Sequence, residues 1–310
     1  MTVGRPPITL ARRTVLAGLG LPILVGCAAP IPEPTAPATT GAARDLLDAS
    51  AAAHGAAAFT AVRDVSVSYA GRFRGIVGRL QPVLVDEGHR GRSEERLLLA
   101  DRIVAQAHAG PEGAKQVVRQ GARGAQGTVR VWFDGQESRD TDQRAAAALV
   151  ADGYALFLLG PMLLAGSWMA DRAPVMERLA AETIEQDGRT YACERLRAAL
   201  IPGVGLSGGD QIVLYIDSAT LLMRRVRFTL NGLDGTRGAV AEVDTMDHVP
   251  YQGVQWPTRF HEHLLRPVPL PVHDWRLVGL DLNRGLTSTM VNGPAFTGAA
   301  VASAKAWTAG

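Results

Sequence analysis

Cysteine is nearly absent. Only Cys27 and Cys193 occur among 310 residues, so the chain can close one disulfide at most. Stability has to come from a buried core. Folding a chain of this length removes roughly three quarters of its unfolded surface from water, which is sufficient without disulfide or metal staples. Lysine is equally scarce: 32 cationic residues include just Lys115 and Lys305, and the arginines are scattered among 30 acids. No basic stripe follows a phosphate backbone, so nucleic acid is not an expected partner. After the first thirty positions no uninterrupted apolar run reaches 18 residues, which excludes a chain that crosses a bilayer repeatedly as helices. Also missing are a Gly-x-Ser-x-Gly elbow, a phosphate-binding glycine pattern and any repeat of fixed period. Gly205-Leu206-Ser207-Gly208-Gly209 lacks the strand and helix of a nucleophile site and reads as a flexible loop, and the glycines of 71–78 do not match a nucleotide loop. No cofactor is expected.

What is present begins with an address. Residues 1–26 read as an export signal: Arg5, Arg12 and Arg13 with no acid, then an uncharged run over 14–26. Thirteen helical residues reach about 20 Å against a hydrocarbon core of about 30 Å, so a transient targeting helix is expected rather than a permanent anchor. The run ends in Leu24-Val25-Gly26-Cys27, which resembles the bacterial lipobox, whose cysteine is lipidated and becomes the mature N-terminus. The alternatives are an ordinary signal with an incidental cysteine, or a short anchor left uncut. Arg12-Arg13 ahead of Thr14, Val15 and Leu16 resembles a twin-arginine motif, although any export signal needs a positive opening. The expected location is extracytoplasmic, on a periplasmic or outer face, anchored to a membrane through Cys27, with the export machinery as a transient partner. Removing the signal takes three arginines and no acid, which turns a formal charge of +2 into −1. Cys193 then remains as the free thiol, read as a small core hydrophobe, with a reactive nucleophile as the other reading.

Residues 27–43, rich in Pro and Ala, read as a tether; 44–290 as one domain; 291–310 as a tail. A first helix is expected over 44–60, with Leu47, Ala51 and Ala58 on one face. Period-two or β-rich strands follow at 65–69, 96–99, 103–107, 115–120 and 129–133, with a turn at 110–113 and a hairpin-type Asp134-Gly135. The pattern then becomes helical over 142–164, as one or two helices with Pro161 near the end. Its stretch 154–164 is uncharged and apolar all round, so it is either buried in a core or lines something greasy. Hairpins return at 182–185 with 190–196 through Asp187-Gly188, and at 211–217 with 221–230, followed by strands at 238–248, 254–265 and 275–282. Ten or eleven strands with connections too short for parallel crossovers make an antiparallel sheet large enough that it must curl or close. The fold class is mainly β with helices, α+β.

The segment 210–226, with Asp217-Ser218-Ala219-Thr220 between two strands, and the segment 247–259, with Tyr251-Gln252-Gly253-Val254-Gln255-Trp256-Pro257-Thr258-Arg259, are similar to strand pairs of the lipoprotein-localisation superfamily, the LolA-like and LolB-like proteins. The order helix, strands, apolar helical insertion and further hairpins resembles theirs over about 46–281. The resemblance implies an unclosed antiparallel half-barrel whose concave face, covered by helices, holds acyl chains of a lipid or lipoprotein. It implies ligand-binding positions at Tyr154, Phe157, Leu158, Met162, Leu163 and Trp256, with 154–164 as a cavity-lining lid or, alternatively, a plain core helix. The soluble carrier of that superfamily has no lipid anchor, so an anchored acceptor or lipid-handling lipoprotein fits this chain better than a shuttle.

The best metal-like fragment is His261-Glu262-His263, since residues i and i+2 of a strand share a face, and His248 and His273 are candidate further ligands. No Asp or Cys stands at a recognised ligand spacing, and solvent-facing histidines on a sheet edge are the plainer expectation. Glu94-Glu95 and Asp86-Glu87 are adjacent pairs that a strand would point to opposite faces, unsuited to paired acid–base work. The competing function is therefore an exported metal-dependent hydrolase using His261 and His263, against a non-enzymatic lipid-binding lipoprotein.

Overall fold

The computed structural model describes residues 31–32, 38–121, 127–166 and 174–296. The export signal with Arg12 and Arg13, the lipobox Cys27 and most of the tail lie outside the described residues.

The frame is one sheet of 13 strands in which every neighbouring pair is antiparallel. From β1 (Asp64–Phe73) the chain meanders outward through β2 (Arg92–Leu98), β3 (Ile103–Gly110), β4 (Gly113–Gln120) and β5 (Thr128–Phe133) to a two-residue edge strand, β6 (Gln136–Glu137). Helix α5 (Thr141–Ala165) then carries it to the opposite edge at β7 (Val175–Gln186). The return runs through β8 (Arg189–Leu200), β9 (Asp210–Asp217), β10 (Met223–Thr229), β11 (Val240–Met246) and β14 (Arg259–Arg266) to β15 (Leu270–Leu282), which pairs with β1. The edges β6 and β7 do not meet, so the sheet is a half-barrel and not a closed barrel. The expected fold class is the observed one.

Alternation decides which face is filled. In β1, Val65, Val67 and Tyr69 join the main core with α5, whereas Ser66 and Ser68 point to the outer face. Cross-strand register extends that inner face, with Leu97 and Leu282 flanking Val65. The Asp-Gly turns expected from the sequence are present: Asp134 and Gly135 have φ of 48° and 82°, and Asp187 and Gly188 have 50° and 70°, values that a two-residue hairpin loop demands.

Helix α5 starts at an Asp140 cap, whose carboxylate accepts the Gln143 N–H at 2.8 Å. It is broken by Gly160 (φ 37°, ψ −112°), and Pro161, which needs no N–H partner, restarts it. Its packing is fixed by polar contacts as well as apolar ones. Buried Asp152 pairs with Arg119 of β4 at 3.4 Å and accepts the Gly205 N–H at 2.9 Å.

Several boundaries differ from the sequence expectation. The helix expected over 44–60 is divided into α1 (Gly41–Ala53) and α2 (Ala56–Phe59), because the chain turns at Gly55 with φ 91° against the Gly253 carbonyl. The strand expected over 254–265 is two. β13 (Val254–Trp256) pairs only with β12 (Val249–Tyr251), and Pro257, lacking an N–H, separates it from β14. With these and β6, the described strands number 15 rather than ten or eleven. Two short helices, α3 (Gly75–Leu80) and α4 (Pro82–Val85), have no counterpart in the sequence reading. In the tether, Ile31 is buried on the outer face with Ile184, Cys193, Val213 and Tyr215, and Arg197 donates to the Pro32 carbonyl at 2.8 Å. That segment is thus held against the sheet at this point. Cys193 itself is fully buried, and burial pushes its thiol up to about 11, the setting of an inert core residue.

Candidate functional site

The inner face is divided along its width. Toward β7 it is apolar, with rungs such as Leu196–Leu214–Val226–Val243. Toward β6 a polar strip crosses it. Register aligns Ser93, His108 and Lys115 in one rung and Glu95, Gln106 and Val117 in the next, in phase with core residues Leu97 and Val104.

Between this face and α5 lies a crevice. Leu149, Val150, Gly153, Tyr154, Leu156 and Phe157 of α5 form one wall, and Phe73, Phe228, Glu262 and Val272 of the sheet form another. The cover is the segment linking β1 to β2, which contributes Val77 of α3, Leu84 and Val85 of α4, and Arg90. The cavity is narrow, about 50 Å³, well below the usual range of ligand sites, so an occupant of more than a few atoms has to displace the cover. A second, smaller recess of about 20 Å³ adjoins it, sharing Phe73, Arg90 and Tyr154 and adding Ser93, His108, His273 and Trp275. Its floor is a stack of flat rings: Phe73 on His273 at 3.8 Å, His273 on Trp275 at 4.6 Å, and Trp275 on Phe260 at 4.9 Å between centroids. Tyr154 closes the junction, its hydroxyl 3.3 Å from His273 Nδ1.

Burial governs the charges here. It pushes Glu95 up to about 8, against the opposing pull of a Gln106 hydrogen bond and the Arg90 charge, and it pushes Glu262 up to about 7, again against Arg90. His108 and His273 are held well below the ordinary imidazole range, first by burial and then by the Arg90 cation. Lys115, bonded to Asp86 at 2.5 Å, is lowered to about 8 by burial and Arg90. Several polar atoms have no hydrogen-bond partner among the described residues: Arg90 Nε, Glu95 Oε1, Gln106 Oε1 and both ring nitrogens of His108.

Of the positions that the resemblance implied, Tyr154 and Phe157 border the crevice. Leu158, Met162 and Leu163 are packed in the main core on the same helix, and Trp256 is fully buried in the β12–β13 hairpin, its indole N–H donating to the Tyr251 carbonyl at 3.2 Å. His261 and His263 do share one face of β14, but it is the outer face, and β14 is an interior strand of the sheet and not an edge. They line an open groove with Arg225, Glu242 and Asp244, where the carboxylates are already engaged: Asp244 with Arg225 at 2.5 Å and Glu242 with Arg227 at 2.9 Å. His273 faces the other side, beside the crevice, and His248 packs edge-on to His54, lowered to about 3 by burial and that neighbour. Among the described residues no group of three or more His, Cys, Asp or Glu side chains is placed to hold a metal ion.

The sequence reading did not single out Arg90, Gln106 or His108, set Glu95 aside as half of an adjacent acidic pair, and took Glu262 only as the middle of His261-Glu262-His263. A signal for three of them was available in strand phase: Glu95 stands two residues before Leu97, His108 four after Val104, and Glu262 two after Phe260, each with an inward-facing apolar residue.

No family model matches the chain, and no curated protein does. Solved structures do. A DUF1329 family protein from Desulfovibrio piger is similar over 82% of this chain and 97% of that one, at 12% identity and a TM-score of 0.49. A LolA superfamily protein from Nitrosomonas europaea is similar over 80% and 96%, at 13% identity and a TM-score of 0.47. The second carries the name of the superfamily that the 210–226 and 247–259 segments resemble. Identities this low concern the path of the chain, so what the crevice does is read from its own residues.

Proposed function

We propose that the protein is a membrane-anchored extracytoplasmic lipoprotein that holds an acyl chain of a lipid or lipoprotein in the crevice beneath α3 and α4, in lipid or lipoprotein trafficking or envelope maintenance. The observation that carries this reading is the composition of the crevice. Its walls are apolar along α5, the sheet and the cover, and just two charged residues, Arg90 and Glu262, reach it. An acyl chain gains about 0.8 kcal/mol per buried methylene, so a chain that displaces the cover and lies along these walls binds by length. α5 serves as a fixed wall, pinned by Asp152, while the short helices of 75–85 supply the cover. Anchoring through Cys27 rests on the lipobox and places the crevice next to a membrane that supplies its ligand.

Titration of the purified protein with a fluorescent fatty acid tests this. The wild type binds, and Leu84→Glu, at a half-buried cover position packed against the main core, lowers the affinity of the folded protein at least about tenfold, with circular dichroism confirming that the variant is folded. A wild type that binds no amphiphile and copurifies with stoichiometric metal would replace this reading with the hydrolase one through His261 and His263.

A further inference from the structure

Several half-buried arginines of the sheet are paired with carboxylates. Arg225 bonds Asp244 and Glu242, Arg227 bonds Glu242, and Arg224 bonds Asp217 at 2.9 Å. Arg90 is the exception at the crevice. Its guanidinium forms no ion pair or hydrogen bond with any described residue, its Nε is buried without a partner, and its contact is the Phe73 ring, 5.3 Å from the guanidinium carbon. A cation left unpaired in such a place costs free energy unless something pairs with it. Its position is specific: Arg90 lines both the apolar crevice and the adjoining recess. In that recess His108, 6% exposed, has no hydrogen-bond partner for either ring nitrogen among the described residues.

We infer that Arg90 is the counter-ion for the anionic head group, a carboxylate or a phosphate, of the amphiphile whose chain occupies the crevice, with the His108 ring donating a second hydrogen bond to that head. The inference rests on the acyl-chain reading above. The chain then lies along α5 and the head in the recess, with Arg90 at the junction. Neighbouring carboxyls compete only in part for this role near neutral pH: Glu262, at about 7, is partly ionised there, but neither it nor Glu95 stands within ion-pair distance of Arg90. Burial raises both Glu95 and Glu262, and Glu95 already takes a hydrogen bond from Gln106 at 2.5 Å. Asp86, the other nearby acid, is occupied by Lys115 and His89. A guanidinium facing a carboxylate or phosphate in a partly dry site makes the charge-assisted, two-pronged bond at which arginine excels.

The test compares ligands of one chain length and different heads in the full-length protein: oleate, oleoyl phosphate, oleyl alcohol and inorganic phosphate. The expected result is that oleate and oleoyl phosphate bind about tenfold or more tightly than oleyl alcohol. Arg90→Gln reduces that preference to about twofold or less, whereas Arg90→Lys retains most of it. Circular dichroism of each variant verifies the fold. Equal affinity of wild type for oleate and oleyl alcohol overturns the head-group assignment and leaves the acyl-chain reading standing. Failure of all three amphiphiles to bind overturns both. Inorganic phosphate that binds as tightly as oleoyl phosphate makes the recess a free-anion site and also overturns the inference.

Discussion

In the interior of a regular helix, glycine is a weak point, and replacing it with alanine stabilises by about 0.5–1 kcal/mol. Gly160→Ala should do the opposite. At φ 37° and ψ −112° the backbone occupies a region that an L side chain avoids, worth about 1–3 kcal/mol of strain. The added Cβ would also stand 2.7 Å from both Sδ and Cε of Met223. A thioether end can swing aside, but Met223 is 1% exposed, so its movement disturbs the core at a cost of about 1–3 kcal/mol. The loss expected is therefore about 2–6 kcal/mol out of a total stability of about 5–15 kcal/mol. Urea unfolding measures it, with an unchanged slope showing that stability and not compactness has moved. The Met223→Ala background separates the two parts. There the clash vanishes and Gly160→Ala costs only the backbone strain, a coupling of about 1 kcal/mol or more. A neutral or stabilising Gly160→Ala would refute the kink and with it the course of α5 along the crevice.

Leu158→Ala, at a sealed core position, should cost about 2–5 kcal/mol and leave fatty-acid affinity of the folded protein unchanged, whereas Phe157→Leu, on the crevice wall, should cost under about 1.5 kcal/mol and alter affinity; titration beside urea unfolding checks both. Glu95 and Glu262 titrate higher in the folded protein than in the unfolded chain, so the native state holds their protons longer and stability falls as pH rises, from the unfolded carboxylate range up to about 7 for Glu262 and about 8 for Glu95. The buried histidines, lowered in the folded protein, and Lys115, lowered to about 8, push stability the other way across the same range, so the Glu95 contribution is read as the difference between wild type and Glu95→Gln: between about pH 6 and 9 the wild type should lose stability relative to the variant as pH rises, and a difference that does not change with pH would contradict the burial of a neutral Glu95. Metabolic labelling with a fatty acid should mark the wild type and not Cys27→Ala; a labelled Cys27→Ala protein would remove the anchor from the account.

The scaffold was legible because its signals are local. Val65, Val67 and Tyr69 alternate with serines, Asp134-Gly135 and Asp187-Gly188 mark their own turns, and the uncharged 154–164 stretch had to be buried somewhere. The cover was not legible. Gly75-Ile76-Val77-Gly78-Arg79-Leu80 is too short and too rich in glycine for a helical period to stand out, and α3 and α4 are stabilised by packing Val77 and Val85 on Val272, nearly two hundred residues away in sequence. The polar side of the site was illegible for a related reason. Arg90, His108, Glu262 and His273 are brought together by the pairing of β1 with β15, which no short-range pattern announces. His261 and His263 show the converse. Their shared face was read correctly, but strand phase alone does not say which face is inner, and Glu262 between them is the residue that turns toward the crevice.

The most direct measurement is lipid extraction and mass spectrometry of the protein purified from its own cell envelope in a mild, lipid-free buffer, with metal analysis of the same sample. The account predicts close to one equivalent of an amphiphile with at least one long acyl chain, beyond any lipid attached at Cys27, and its loss from Leu84→Glu. A preparation that carries no such amphiphile, takes up none when offered, and contains stoichiometric metal would contradict it.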